Sequence, residues 1–133
     1  MLTVPQILRD ELIAHCRQQY PKEACGLLAG ANGLVTRVYP MTNVEDSAIG
    51  YAMDPKEQLL IEKQMRTRGQ QLVGIYHSHT ATDAYPSSVD VELAISPEIS
   101  YVLVSLKDQA QPVMCSYRIQ EQTITREDLQ VQE

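Results

Sequence analysis

Residues Gln71–Asp90 read QLVGIYHSHTATDAYPSSVD, and the order of residue types in this stretch decides the architecture. Leu72-Val73-Gly74-Ile75-Tyr76 is a dense apolar run of strand length that ends in the polar triplet His77-Ser78-His79. Thr80–Pro86 is a loop, and Ser87 opens a short helix running to about Ile95. A strand that feeds a helix through a polar loop calls for a sheet with helices packed on it. Upstream, Asp54-Pro55-Lys56-Glu57 has an N-cap, a proline at N1 and a glutamate at N3, so a helix is expected to run from there to Arg68 and stop at Gly69. Ala24–Ala29 and Leu34–Tyr39 read as strands around the Asn32-Gly33 hairpin turn. Val4–Tyr20 places Val4, Ile7, Leu8, Leu12 and Cys16 at helical spacing. Residues 41–53 look irregular. Tyr101–Leu106 and Val113–Ile119 read as antiparallel strands across a turn, and the tail from Gln120 as one last strand. Strands and helices mix along the chain, giving an α/β or α+β class whose topology periodicity leaves open.

A chain of 133 residues without Phe or Trp, 44% of it hydrophobic, is expected to form one domain over 1–133, with Leu, Ile, Val and Met filling the core. Eleven basic against 17 acidic side chains leave a net charge of −6, with no basic run. That balance argues against nucleic acid as a partner, because phosphate binding draws on clustered Lys and Arg. An anionic membrane surface is disfavoured for the same reason. No apolar stretch is long enough for a spanning helix, and MLTVPQILRDEL lacks the pattern of a secretory signal. Cys16, Cys25 and Cys115 are odd in number and widely spaced, which is no disulfide framework and suits a reducing cytoplasm.

Two of the three histidines are His77 and His79. Side chains at i and i+2 of a strand share a face, so this pair offers two imidazoles to one metal ion, unless they are simply surface histidines beside a loop. Ser87-Ser88-Val89-Asp90 has the pattern of a capping box. Its carboxylate could instead join the histidines as a third metal ligand, leaving an open position of the kind that marks a catalytic site. Both readings can hold at once.

The run His77-Ser78-His79-x7-Ser87-x2-Asp90 resembles the H-[ST]-H-x7-S-x2-D signature of the JAMM (MPN+) metalloprotease family. The segment Tyr20-Pro21-Lys22-Glu23-Ala24-Cys25-Gly26-Leu27-Leu28 is similar to that family's glutamate-bearing strand, and the likeness to the small bacterial members extends over essentially the whole chain. It implies a three-layer, cytidine-deaminase-like α/β fold with a central mixed sheet flanked by helices. Carried onto these positions, it makes His77, His79 and Asp90 the ligands of one zinc ion, Glu23 the general base and Ser87 a hydrogen-bond donor to the developing oxyanion. Read by itself, Glu23 would be a solvated residue after Pro21.

The implied activity is hydrolysis of the amide bond after the C-terminal Gly-Gly of a ubiquitin-like or sulfur-carrier protein, whose extended tail would add beside a sheet edge. A non-catalytic MPN-type binding module and a zinc hydrolase of a small-molecule amide are the rivals. The deaminase pattern H-x-E with P-C-x-x-C is absent. Relatives usually carry Pro after the second histidine; Thr80 stands here, which is expected to loosen the Thr80–Pro86 loop. Asp83 and Tyr85 in that loop read as solvated residues, with contact to substrate as the alternative; His15, Met53 and Met65 read as boundary or packing residues, and Cys25 as a small buried thiol.

Overall fold

A computed structural model describes residues Met1–Glu133. In chain order the elements are β1 (Leu2–Pro5), α1 (Gln6–Gln19), β2 (Cys25–Ala31), β3 (Leu34–Met41), α2 (Pro55–Thr67), β4 (Gln71–His79), α3 (Ser88–Leu93), β5 (Ser100–Ser105), β6 (Val113–Gln120), β7 (Thr123–Glu127) and β8 (Leu129–Gln132). They build one mixed eight-stranded sheet in the order β7-β6-β5-β4-β2-β3-β1-β8. β4 runs antiparallel to β2 and parallel to β5, with α3 on the crossover between β4 and β5. The outermost strands, β7 and β8, are joined through the single residue Asp128, so the sheet curls until its two edges meet there.

The local signals act as read. Asn32 and Gly33 both adopt positive φ, which the tight β2–β3 turn requires and which Gly tolerates at no steric cost. Asp54 Oδ1 accepts from the Lys56 amide at 3.1 Å and starts α2 with Pro55 in the first turn, and Gly69 at φ 69° follows its end. β5 and β6 pair antiparallel from Tyr101↔Tyr117 to Ser105↔Val113.

Helices cover both faces of the sheet. Leu12, Ile13 and Cys16 of α1 pack with Val4, Leu28, Val38, Tyr76, Val102 and Val104 on one face. On the other, Met65 and Ile61 of α2 pack with Cys25, Leu27 and Tyr39, while Val91 and Ala94 reach Tyr101, Leu103 and Tyr117. Gly26 lets the Tyr76 ring cross β2, since a Cβ there would lie 2.1 Å from that ring. Truncating a wholly buried residue such as Leu12 to Ala would cost about 2–5 kcal/mol. No helix is long and apolar enough to cross a membrane.

Three expectations shift. The first helix begins at Gln6, because Leu2–Pro5 is drawn into strand pairing with β8, from Leu2↔Leu129 to Pro5↔Gln132. The tail forms two strands at opposite sides of the sheet. The helix opened by Ser87 ends at Leu93, and Ile95 lies beyond it, exposed.

Candidate metal centre

β4 carries its pattern into the site by alternation. Ile75, His77 and His79 share the face covered by α2 and α3, while Tyr76 and Ser78 turn toward α1. The two imidazoles therefore meet, with Nε2 of His77 3.3 Å from Nε2 of His79, and both residues are buried. Asp90, in the first turn of α3, brings its Oδ2 to 3.1 Å from His77 Nε2 and 2.9 Å from His79 Nε2. The three ligand atoms lie within 4.8 Å of one another.

The capping box is also real. Ser87 Oγ accepts from the Asp90 amide at 3.1 Å, and the Ser87 amide donates to Asp90 Oδ2 at 2.9 Å. The cap aims the carboxylate: the same Oδ2 that closes the box faces both histidines. Ser87 itself is exposed, and its hydroxyl proton meets no acceptor in the chain.

The donor set fits a cation. His79 Nδ1 sits 2.8 Å from the Asp83 carbonyl oxygen, which can only accept, so Nδ1 carries the proton. In the neutral ring Nε2 then presents a lone pair, as a metal-ligating histidine does when its other nitrogen is held by a carbonyl. Two imidazole nitrogens and a carboxylate oxygen converge within hydrogen-bond distance of one another, a donor set that one cation could bridge. Burial lowers the His77 pKa and keeps that ring neutral. For His79, burial is outweighed by Asp90 and the Asp83 carbonyl, which raise it. For Asp90, the burial cost is overcome by the adjacent His77 and His79 rings, which hold its carboxyl far below the usual range.

Glu23, just before β2, is only 5% exposed, so the solvated reading of this residue does not hold. No donor in the chain reaches its carboxylate, and the buried Oε1 is left without a partner. Burial is the main reason its pKa is pushed up to about 7; the charge of His79 opposes this, while those of Asp90 and Glu45 add to it. A buried, unpartnered carboxyl with a pKa near neutrality beside a cluster of metal-ligand type is the constellation expected of a proton-transfer site.

Residues 5–120 match the model of a family described as prokaryotic homologs of the JAB domain. The chain belongs to that family. A CysO-cysteine peptidase of Mycobacterium tuberculosis is 44% identical over 135 residues, spanning 100% of this chain and 92% of that protein. A desampylase of Haloferax volcanii is 36% identical over 73% of this chain and 75% of its own length. The solution structure of a protein from Desulfitobacterium hafniense superposes with a TM-score of 0.92 at 41% identity, covering 100% of this chain and 94% of that one.

Around this JAB-domain site the structure adds contacts that the sequence reading did not foresee. Tyr51, from the irregular segment between β3 and α2, stacks on the His77 ring with centroids 4.6 Å apart and planes 29° apart. Ser78 Oγ accepts from the Ala24 amide at 2.8 Å, tying β4 to the start of β2. The Thr80 hydroxyl donates to the Ala48 carbonyl at 3.0 Å, tying the segment that follows His79 to the one that follows β3. The site lies at β4 and β2, in the middle of the strand order. Cys25 is wholly buried, and burial pushes its thiol up to about 12, as suits an inert thiol. His15 is half-buried, with Nδ1 2.7 Å from the Tyr76 hydroxyl on the face away from the site. Tyr85 stays largely exposed, and Asp83 serves through its main chain.

Proposed function

We propose that residues 1–133 form one zinc peptidase domain that hydrolyses the amide bond after the C-terminal Gly-Gly of a small ubiquitin-like or sulfur-carrier protein. The observation that carries this reading is the convergence of His77, His79 and Asp90 beside a buried carboxyl, Glu23, that has no partner of its own. Its substrate class is supported by relatives named for cleaving a CysO–cysteine bond and for desampylation. Imidazole and carboxylate donors suit a zinc ion, one per chain, which would supply a Lewis acid for the scissile carbonyl and acidify a water to a pKa near 7.

The chain's own residues do the rest. Glu23 takes the proton of the attacking water and delivers it to the leaving amine, a role typically contributing about 10²–10⁴-fold. The Ser87 hydroxyl, whose oxygen is held by the Asp90 amide, donates its free proton to the carbonyl oxygen as charge develops there. Asp83 fixes the His79 ring through its carbonyl. The same reading keeps the three-layer, cytidine-deaminase-like arrangement, supported by helices on both faces of the mixed sheet, and a cytoplasmic location, supported by three free, buried cysteines.

The test is elemental mass spectrometry on wild type and His79→Ala, with cleavage assays on Gly-Gly carriers fused through their C-terminus to cysteine or a peptide. Near-stoichiometric zinc that is lost in the variant, together with release of the fused residue, is the expected result. Protein that stays empty when zinc is supplied would leave only the capping box and a binding module. Turnover of small amides with no carrier cleaved would move the assignment to a metabolite hydrolase.

A further inference from the structure

We propose that Asn43 is a positioning residue for Glu23, aiming the carboxyl by holding the main chain on which it stands. The proposal rests on Glu23 acting as the base, as argued above. Nothing grips the Glu23 side chain: its carboxylate has no donor, and Oε1 is sealed from solvent. The direction of its Cα–Cβ bond is therefore set by the peptide planes on either side of its Cα, and three of the four polar groups on them are tied down. The Glu23 amide donates to the Ser47 carbonyl at 2.8 Å. The Glu23 carbonyl accepts from Asn43 Nδ2 at 3.0 Å. The next residue is fixed twice by Ser78, whose Oγ accepts from the Ala24 amide and whose own amide donates to the Ala24 carbonyl at 3.0 Å.

Asn43 is the hub of this arrangement, because its amide spends its full capacity. Nδ2 donates to the Gly50 carbonyl at 3.0 Å as well as to Glu23, and Oδ1 accepts from the Glu45 and Ala52 amides at 3.1 Å each. One side chain thus folds the segment after β3 into a turn and fastens that turn to the main chain of Glu23. The same segment supplies Ser47 for the Glu23 amide, Ala48 for the Thr80 hydroxyl and Tyr51 for the His77 ring. Only a side chain with two donors and a two-lone-pair acceptor can hold both halves.

The test compares Asn43→Ala and Asn43→Asp, alone and combined with Glu23→Gln, on a Gly-Gly carrier fusion, with metal content and Tm measured for each. Asn43→Asp keeps the acceptor for Glu45 and Ala52 and deletes the donor to Glu23, so it carries the test even if Asn43→Ala fails to fold. Each single variant should keep its zinc and a KM within about 2-fold of wild type. kcat should fall by roughly 10–100-fold, the cost of an ångström-scale misplacement of a reacting group. In the Glu23→Gln background, Asn43→Asp should change the residual rate by less than about 2-fold, because two residues acting through one group are not additive. Wild-type kcat in Asn43→Asp would overturn the proposal. So would an undiminished further loss in the double variant, since Asn43 would then act by another route. Wild-type turnover by Glu23→Gln alone would remove the base assignment itself, an outcome distinct from the other two.

Discussion

Two glutamates have carboxylates drawn out of solvent and are treated in opposite ways. Glu23 is 5% exposed, has no hydrogen-bond partner for its carboxylate and has a pKa pushed up by burial. The side chain of Glu127, on β7, is 7% exposed and fully employed. Its Oε1 accepts from Ser100 and Ser116 at 2.7 and 2.8 Å, and its Oε2 from Arg118 Nε at 3.0 Å. Burial would raise its pKa, yet the two hydroxyls and the guanidinium outweigh that and lower it. The chain can satisfy a buried carboxylate, and it does so where three strands must be held together. Beside the histidines it leaves one unsatisfied, a cost in stability that makes sense where a carboxyl has to trade protons.

The largest effect should come from removing the chemistry while keeping the shape. Glu23→Gln is expected to lower kcat by about 10²–10⁴-fold with zinc content unchanged, measured on a carrier fusion. At Glu127 the effect should fall on stability: Glu127→Ala strips the acceptor from two buried hydroxyls and removes the carboxylate partner of Arg118, which keeps its bond to the Glu98 carbonyl. It should cost about 2–4 kcal/mol, read as a lower urea midpoint. A smaller effect of opposite sign separates the two sites. A carboxyl whose folded pKa is about 7 against an ordinary 4.5 binds more protons folded than unfolded between those values. Stability then falls as pH rises through that window. In protein stripped of metal, Glu23→Gln should therefore gain about 1–3 kcal/mol at pH 8, and the gain should fade toward pH 4.5. A glutamine that destabilises the stripped protein at pH 8 would mean that Glu23 carries no such burden. The smallest effect belongs to the Asp83 side chain, 82% exposed and 3.5 Å from Lys107 Nζ. Asp83→Asn should shift stability by less than about 0.5 kcal/mol and leave metal content alone, because only the Asp83 carbonyl serves His79.

What the sequence disclosed follows from how local each feature is. The histidine pair was legible because strand alternation acts over two residues, and Asp90 because a capping box acts over three. Glu23 emerged only through family resemblance, since nothing near it in the chain marks a glutamate as buried. Asn43 and Tyr51 gave no signal at all, and Ser78 only its place in the H-[ST]-H signature. Asn43 and Ser78 act on main-chain groups and Tyr51 through a ring stack; Asn43 and Tyr51 also lie in a segment without period. The pairing of β1 with β8 was hidden for a related reason. Its partners are more than a hundred positions apart, and the apolar residues of Leu2–Pro5 mimic the approach to a helix.

The meeting of the sheet's edges at Asp128 also sets an order of events during synthesis. Residues 2–5 emerge first, yet four of the five residue pairings recorded for this strand are with residues 129–132 and only one, Thr3↔Leu34, is with β3. A nascent chain can assemble β2 to β6 early, but β1 must wait for β8. Until residues 129–132 have been made, the segment 2–5 lacks most of its pairing and stands open to proteases and chaperones.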